Sequence, residues 1–293
     1  MKNIKYNCRT CEVTGIIKNK YVSYDFDNKI EFIETSDGII HQVNPPTVKK
    51  IKEFFNSKSF LKQPKDKHIE GYLDYIKEEP IRNKTSIYRV NKLTKIINFK
   101  EKVKLLKIGC GTGSFIYHIS KIQGVKSTGI ELSKYFSTYG KEKYNVDILN
   151  QDYLETKIQN QDVIIMFNVI ENLYNLDETI DKIYKDLNPN GKFIINYVPL
   201  KNLFFRIFKE KYFIFRPPIY HIFMNQKSIE TYLYKRGFIL EKTFYDIRYL
   251  SIEKILTLLK LKKLNNFFKF LSSSNLSFKI WAYPSKILVL KKI

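Results

Sequence analysis

The strongest constraint in this sequence is a run of three glycines at alternate positions, directly after a short apolar segment. Residues 103–108 have the apolar character of a strand, and Gly109, Gly111 and Gly113 follow it. Glycine adopts backbone angles that other residues avoid, and its missing side chain lets a ligand touch the main chain. Residues 115–121 then show helical spacing. A strand, a glycine turn and a helix in this order predict a nucleotide-type cofactor site.

The spacing of the glycines differs from that of dinucleotide-binding sites. Those sites have the pattern GxGxxG, whose third glycine packs against the following helix near a pyrophosphate. Here the third glycine comes one residue earlier, and Ser114 occupies the sixth position. A second strand signal over residues 126–131 ends in Glu131, 22 residues after Gly109. A carboxylate at that point accepts hydrogen bonds from both hydroxyls of a ribose, and we assign Glu131 this role.

The segments after Glu131 complete a recognisable series. Residues 145–153 contain a third strand and its loop, and residues 161–171 form a near-continuous apolar run, which is typical of a central parallel strand. A helix over 177–187, a turn over 188–191 and a strand over 192–199 follow. Taken with the GxGxG turn, this ordered series resembles the class I S-adenosylmethionine-dependent methyltransferases.

The resemblance implies an α/β protein with a Rossmann-like sheet of seven strands, the last antiparallel, and a small N-terminal appendage of strands and helices. It also implies S-adenosylmethionine as the cofactor, with Asp152 near the adenine amino group and Asn168 under the sulfur. The residues expected to bind the cofactor are Gly109, Cys110, Gly111, Gly113, Glu131, Leu132, Asp152, Tyr153 and Asn168.

Two residues depart from the pattern of this family. The family usually carries an acid two positions before the first glycine, where it helps to hold the glycine loop and the methionine amino group, and this chain has Lys107 there. Relatives with Glu-His after the fourth strand correspond to Glu171 and Asn172 in this chain, so a catalytic histidine is missing at that point. Both departures bear on turnover more than on the cofactor assignment.

The length of 293 residues fits one catalytic domain with an appendage. We predict an appendage over residues 1–85 and a cofactor-binding domain over 86–293, with insertions at about 200–227 and 247–283. Within the appendage, residues 21–26, 29–33 and 39–43 predict a three-stranded meander, and a helix over 48–55 follows.

The appendage begins with a Cys-x-x-Cys pair at Cys8 and Cys11, which resembles half of a zinc ribbon. A structural zinc site needs four ligands, and the place of the second pair is occupied by residues 35–38, which contain no cysteine. His41 is an alternative third ligand, although a lone histidine in a strand is more often simply hydrogen-bonded. We therefore predict no metal.

The formal net charge of +22 would suit a nucleic-acid partner, because clustered Lys and Arg release counterions from phosphates. However, Lys is spread along the whole chain, and Lys, Asn, Ile, Tyr and Phe are abundant together, as the codon bias of an AT-rich genome would produce. We therefore expect no nucleic acid partner. The sequence shows neither an apolar run of transmembrane length nor a signal peptide, and its three cysteines fit a reducing compartment, so we expect a cytoplasmic protein.

The acceptor should lie beyond the carboxyl ends of the strands, next to the aromatic and basic insertion at 200–227, which we predict to be a substrate lid. His221 is our candidate general base, since a hydroxyl acceptor must lose its proton as it attacks. Its alternative role is to orient the loop. Glu171 and Tyr220 are candidates for positioning the acceptor.

The insertion at 247–283 contains a basic amphipathic stretch over residues 250–271. Packing on the core, a homodimer face and peripheral contact with an anionic membrane all stay open for it. The function implied is methyl transfer to a small molecule, with the hydroxyl of a sugar or related metabolite favoured, including a nucleotide-sugar or lipid-linked acceptor. The alternatives are an RNA methyltransferase and an inactive binding protein that keeps the fold.

Overall fold

A computed structural model describes residues 5–7, 14–25, 28–57, 60, 75–99, 102–208, 220–252, 255, 277–280 and 285–293. The strands in this part of the chain are β1 (Lys5–Asn7), β2 (Thr14–Asp25), β3 (Asn28–Thr35), β4 (Ile39–Gln42), β5 (Val103–Ile108), β6 (Val125–Ile130), β7 (Ile148–Leu149), β8 (Gln161–Phe167), β9 (Leu187–Tyr197), β10 (Ile222–Met224), β11 (Phe238–Tyr245), β12 (Arg248–Ser251), β13 (Ser277–Ile280) and β14 (Lys286–Lys292). The helices are α1 (Val48–Phe55), α2 (Glu79–Leu93), α3 (Ser114–Ile119), α4 (Lys134–Tyr144), α5 (Leu176–Asp186), α6 (Leu203–Phe208) and α7 (Gln226–Tyr234).

The main sheet has seven strands in the order β11-β14-β9-β8-β5-β6-β7. Strands β5 to β9 pair in parallel, whereas β14 lies antiparallel between β9 and β11. The predicted Rossmann-like sheet with an antiparallel last strand is therefore confirmed. The sheet also explains the apolar run at β8, because both faces of this central strand are covered and its residues from Val163 to Phe167 are buried.

Two apolar clusters cover the two faces of this sheet. One contains the inward residues of α5 and α7, including Ile180, Ile183 and Ile229, and the other contains α2 and α3 residues such as Val90 and Ile116. Helix α5 begins with Asn175, whose side chain accepts a hydrogen bond from the Glu178 backbone N–H. Because β5 to β9 are parallel, their carboxyl ends lie together at one edge of the sheet.

The N-terminal strands form a second sheet with the order β1-β2-β3-β4-β10. The predicted meander is present as β2, β3 and β4. The fifth strand of the sheet, β10, comes from much later in the sequence, since Ile222–Met224 pairs with Ile39–Gln42. Residue 85 lies inside α2 and not between two units. The boundary predicted at 85 therefore falls within a helix. In addition, the β4–β10 pairing joins the predicted appendage to the insertion after β9 by backbone hydrogen bonds.

A few further predictions differ in detail from the structure. The turn predicted over 188–191 is the first part of β9, where Asn190 has a left-handed φ of 62° and the pairing with β8 shifts register. Within the insertion at 247–283, β12 and β13 pair as an antiparallel ribbon. Most of the predicted amphipathic stretch lies outside the described residues, as do residues 209–219 of the predicted lid and the pair Cys8 and Cys11. No helix in the described part of the chain is long and apolar enough to span a membrane.

Candidate active site

A cavity of about 350 Å³ lies at the carboxyl ends of β5, β6 and β8, and α1 and α2 help to enclose it. This is the position at which open α/β sheets bind their ligands. Eight of the nine residues predicted to bind the cofactor line the cavity, namely Gly109, Cys110, Gly111, Glu131, Leu132, Asp152, Tyr153 and Asn168. The ninth, Gly113, is the residue before α3, and a Cβ there would press on Val146 and Ile148 instead.

The glycine turn needs its glycines for both conformation and space. Gly109 and Gly111 have φ values of 63° and 58°, in the left-handed region that residues with a Cβ rarely adopt. A Cβ on Gly109 would collide with Val169, and a Cβ on Gly111 would lie 2.6 Å from the Tyr75 hydroxyl. The turn therefore presents bare backbone to the cavity, as the sequence predicts.

Glu131 holds the glycine turn against the end of β6. Its carboxylate accepts a hydrogen bond from the Gly111 backbone N–H at 2.7 Å and one from the Ser133 backbone N–H at 2.9 Å. The side chain is buried, and burial raises its pKa, while these two bonds and the nearby charge of Lys107 act in the opposite direction. Each carboxylate oxygen keeps a second lone pair for a ribose hydroxyl, so the arrangement fits the role predicted for Glu131.

Asp152 is already engaged on the opposite side of the cavity. It accepts hydrogen bonds from the Tyr174 hydroxyl at 2.6 Å and the Leu154 backbone N–H at 3.1 Å. It also forms an ion pair of 2.8 Å with Lys52 from α1. An adenine amino group would share Asp152 with these partners. The N-terminal helix thus closes directly onto the predicted adenine end of the site.

A second carboxylate, which the sequence analysis missed, supports the glycine turn from α2. Glu79 is buried and accepts hydrogen bonds from the Thr112 hydroxyl at 2.7 Å, the Tyr144 hydroxyl at 2.7 Å and the Arg82 guanidinium at 2.6 Å. The acid that the resemblance leads one to expect at position 107 is absent, and Glu79 provides a carboxylate on the turn from a different element. Nothing in the local sequence around Glu79 signals this contact.

Lys107 brings a positive charge to the place where that acid was expected. Its ammonium group donates a hydrogen bond of 2.8 Å to the Gly109 carbonyl and lies 5.7 Å from the centre of the Phe167 ring. The side chain is buried, and this desolvation lowers its pKa to about 8. Burial likewise raises the pKa of the neighbouring Cys110 thiol, which leaves it protonated at neutral pH.

Two arginines that the sequence analysis did not single out lie next to Lys107. Arg89 from α2 forms a two-pronged ion pair with the buried Asp246, with distances of 2.9 and 2.5 Å, and its guanidinium lies 4.5 Å from the Phe167 ring centre. Arg248 donates to the Asn168 side-chain carbonyl and lies 3.3 Å from Asp246. Arg89, Lys107 and Arg248 all line the cavity. We call these three residues the cationic cluster.

The structure separates the three candidate catalytic residues. Tyr220 lines the cavity, whereas His221 and Glu171 are not among its lining residues. His221 is 1% exposed, and its Nε2 donates a hydrogen bond of 2.8 Å to the Leu173 carbonyl, which fits the alternative role of orienting the loop. A histidine held in this way does not reach the acceptor, so its placement argues against a general base.

Glu171 has a structural position behind the cavity wall. Its Oε1 accepts a hydrogen bond of 2.8 Å from the Val198 backbone N–H, and its backbone carbonyl accepts one from His221. Burial raises the pKa of this carboxyl to about 7. The predicted role of Glu171 in positioning the acceptor is not supported by this placement, because the local 3₁₀ turn Ile170–Asn172 directs it into the core.

The residues around the cavity fit S-adenosylmethionine. The glycine turn leaves room for a ligand against the backbone, Glu131 keeps lone pairs for ribose hydroxyls, and the cavity continues past the turn to Asn168 and Tyr220. Lys107 is the exception to this fit, since the cationic amino group of the methionine portion would meet a positive charge there in place of an acid.

Comparison with known proteins agrees with this geometry. Residues 106–193 match a family model described as a methyltransferase domain. The chain is 27% identical over 145 residues to the malonyl-[acyl-carrier protein] O-methyltransferase of Priestia megaterium. The matched segment covers 48% of this chain and 52% of that protein. It is 32% identical over 122 residues to the ubiquinone biosynthesis O-methyltransferase of Rickettsia akari, covering 38% of this chain and 47% of that protein. The chain thus spans about half the length of these curated relatives.

Solved structures show the same fold. The magnesium protoporphyrin IX methyltransferase from Synechocystis PCC 6803 with bound S-adenosylhomocysteine has a TM-score of 0.55 and 16% identity, covering 84% of this chain and all of that chain. A methyltransferase-like structure from Bacillus halodurans C-125 has a TM-score of 0.52 and 15% identity, covering 70% of this chain and 98% of that chain. At these identities the likeness establishes the fold. Residues 106–193 of this chain are therefore similar to a methyltransferase domain, and the chain has the fold seen in these solved methyltransferase structures.

Proposed function

We propose that the protein transfers a methyl group from S-adenosylmethionine to an oxygen of an acceptor molecule. The observation that carries this proposal is the continuous cavity, which runs from Glu131 after β6, past the glycine turn after β5, to Asn168 after β8 and Tyr220 before β10. The names of both curated relatives describe O-methyltransferases, which supports oxygen as the acceptor atom. Those names mention malonyl-[acyl-carrier protein] and ubiquinone biosynthesis, and neither supports the sugar hydroxyl that the sequence analysis favoured.

In this proposal the cofactor, when bound, supplies an electrophilic methyl group on a sulfonium centre. Glu131 holds the ribose hydroxyls, and the backbone at Gly109 and Gly111 allows close approach of the ligand. Helix α1 covers the adenine end through the Lys52–Asp152 ion pair. Catalysis by such a site rests mainly on proximity and in-line alignment of the acceptor with the methyl group.

The proposal is tested by calorimetric titration of S-adenosylmethionine and S-adenosylhomocysteine into the wild type and Glu131→Gln. Loss of charge-assisted hydrogen bonds to the ribose should weaken S-adenosylhomocysteine binding by about 10- to 100-fold, since such bonds contribute about 1.5–3 kcal/mol. Glu142→Gln is the matched control, because Glu142 is an exposed residue of α4 and the same chemical change there should leave binding unchanged. If the wild type binds neither S-adenosylmethionine nor S-adenosylhomocysteine, the proposal is refuted. The result would then favour the alternative of an inactive protein that keeps the fold and binds another partner.

A further inference from the structure

We propose that the cationic cluster is a subsite for a carboxylate of the acceptor, and that the product is a methyl ester. This inference rests on the proposed function and names the substrate class of the same site. Its starting point is the charge reversal at Lys107, which the cofactor assignment leaves without a role. The cluster brings that lysine together with Arg89 from α2 and Arg248 from β12 at the end of β8.

Lys107 differs from the two arginines of the cluster in its contacts. Asp246 pairs with Arg89 at 2.5 Å and with Arg248 at 3.3 Å. The ammonium group of Lys107 donates to the Gly109 carbonyl, and among the described residues no carboxylate forms an ion pair with it. Glu131 acts on Lys107 through space, and its oxygens accept from the Gly111 and Ser133 backbone. A buried ammonium group without a directly bound carboxylate is costly, and an anion entering the cavity beside Lys107 would relieve that cost.

The cluster also has donors directed at the place where an acceptor would lie. Lys107 has three N–H groups, and the hydrogen bond recorded for it uses one of them, on the Gly109 carbonyl. Arg89 and Lys107 flank the ring of Phe167, the last residue of β8, while Arg248 contacts the side chain of Asn168 just beyond it. A carboxylate held here would lie at the strand ends, where the methyl group of the bound cofactor is expected.

The groups that line the described part of the cavity favour a carboxylate over a hydroxyl. No histidine is among the residues lining this cavity in the described part of the chain, and His221 is turned away onto the Leu173 carbonyl. A hydroxyl must lose its proton as it attacks, whereas a carboxylate is already ionised at neutral pH. One carboxylate oxygen forms the new O–C bond with its lone pair, the C–S bond breaks, and its electron pair returns to sulfur. No proton needs to leave.

The rest of the cavity wall suggests what the acid carries. Leu173, Leu250, Tyr220 and Tyr249 line the cavity together with the cluster. Such a surface accommodates an apolar chain attached to the carboxylate. We therefore use linear carboxylates from acetate to octanoate as probes, and octanamide and 1-octanol as neutral controls of similar shape.

The first arm of the test measures carboxylate binding by calorimetry with saturating S-adenosylhomocysteine. We expect octanoate to bind better than octanamide, and Lys107→Met to weaken octanoate binding by about tenfold or more. Lys104→Met is the matched control, since Lys104 is an exposed residue of the same strand. Arg248→Gln provides a second variant if Lys107→Met fails to fold. Carboxylates that bind no better than octanamide would overturn the proposal.

The second arm separates the acceptor's carboxylate from that of the cofactor. 5′-Methylthioadenosine lacks the amino-acid portion of S-adenosylhomocysteine. If the cluster binds the acceptor, Lys107→Met should weaken the binding of neither nucleoside. Weakening for S-adenosylhomocysteine alone would assign the cluster to the cofactor's carboxylate and overturn the proposal. Failure of the wild type to bind either nucleoside would instead refute the proposed function, while octanoate binding to the protein without nucleoside would still test the subsite.

The third arm identifies the product and tests Lys107 as a base. With methyl-labelled S-adenosylmethionine, an ester product releases labelled methanol in alkali, whereas an ether does not. The groups that act on Lys107 are Arg89, Cys110 and Glu131, and the pKa of Lys107 is about 8. Anchoring needs the protonated amine, so octanoate affinity should fall as the pH rises through about 8. An alkali-stable product formed faster above pH 8 would show a lysine base acting on a hydroxyl and would overturn the proposal.

Discussion

Replacement of Glu171 by Gln should stabilise the protein at neutral and alkaline pH without abolishing methyl transfer. Glu171 is 3% exposed, its Oε1 accepts the Val198 backbone N–H, and no hydrogen-bond partner of its Oε2 is found in the described part of the chain. Burial raises the pKa of the carboxyl from 4.5 to about 7, chiefly by desolvation. Glutamine keeps the oxygen that accepts from Val198 and cannot ionise.

The size and sign of the effect follow from the difference between the folded and unfolded pKa values. One pKa unit corresponds to about 1.4 kcal/mol, so a shift from 4.5 to about 7 corresponds to about 3 kcal/mol. The folded state holds its proton more tightly, so the penalty is absent below pH 4.5, grows as the pH rises, and is complete above about 7. Below pH 4.5 the protonated carboxyl and the amide both place a donor in the same space, and the two proteins should unfold with similar free energies.

The assay is urea unfolding of wild type and Glu171→Gln at pH 4.5 and pH 8, followed by circular dichroism. We expect similar midpoints at the lower pH and a gain of about 2–3 kcal/mol for the variant at the higher pH. Glu142→Gln on the surface of α4 is the control for a general charge effect. An unchanged free energy of unfolding at pH 8 would refute the desolvation argument. Loss of methyl transfer with intact S-adenosylhomocysteine binding would show that Glu171 is catalytic despite its position.

Three further substitutions test other contacts of the site. Gly111→Ala places a Cβ 2.6 Å from the Tyr75 hydroxyl at a φ of 58°, and calorimetry should show at least about tenfold weaker S-adenosylhomocysteine binding. Asp246→Asn leaves Arg89 buried without its carboxylate and should lower the free energy of unfolding in urea by about 3–5 kcal/mol; an unchanged midpoint would contradict the ion-pair geometry. Lys52→Met removes a partly exposed ion pair that holds α1, and S-adenosylhomocysteine should dissociate about 2- to 5-fold faster in stopped-flow measurements.

The local part of the site could be predicted from the sequence because each signal lies within a few neighbouring residues. The apolar period of β5, the three glycines and the acid at the end of β6 are properties of short segments, and the structure places Gly109, Gly111 and Glu131 on one cavity. Helix α1 was predicted with its observed bounds, and in the structure the Thr47 side chain caps it by accepting a hydrogen bond from the Lys50 backbone N–H. The main sheet was expected because the ordered series of segments resembles a known family, and the structure has that sheet.

Contacts between distant residues were decided only by the tertiary structure. Arg89 and Asp246 are 157 positions apart, and no local pattern indicates that they meet beside Lys107. The pairing of β10 with β4, which joins the appendage to the insertion after β9, is a backbone contact without a side-chain signature. His221 is a further example. The chemistry of its imidazole suggests a base, but only packing determines whether it faces the cavity or the Leu173 carbonyl. The sequence by itself determined the cofactor turn, because the turn depends on local conformation. Only the tertiary structure decided which charged groups line the cavity near Phe167 and Asn168, because these groups come from distant parts of the sequence.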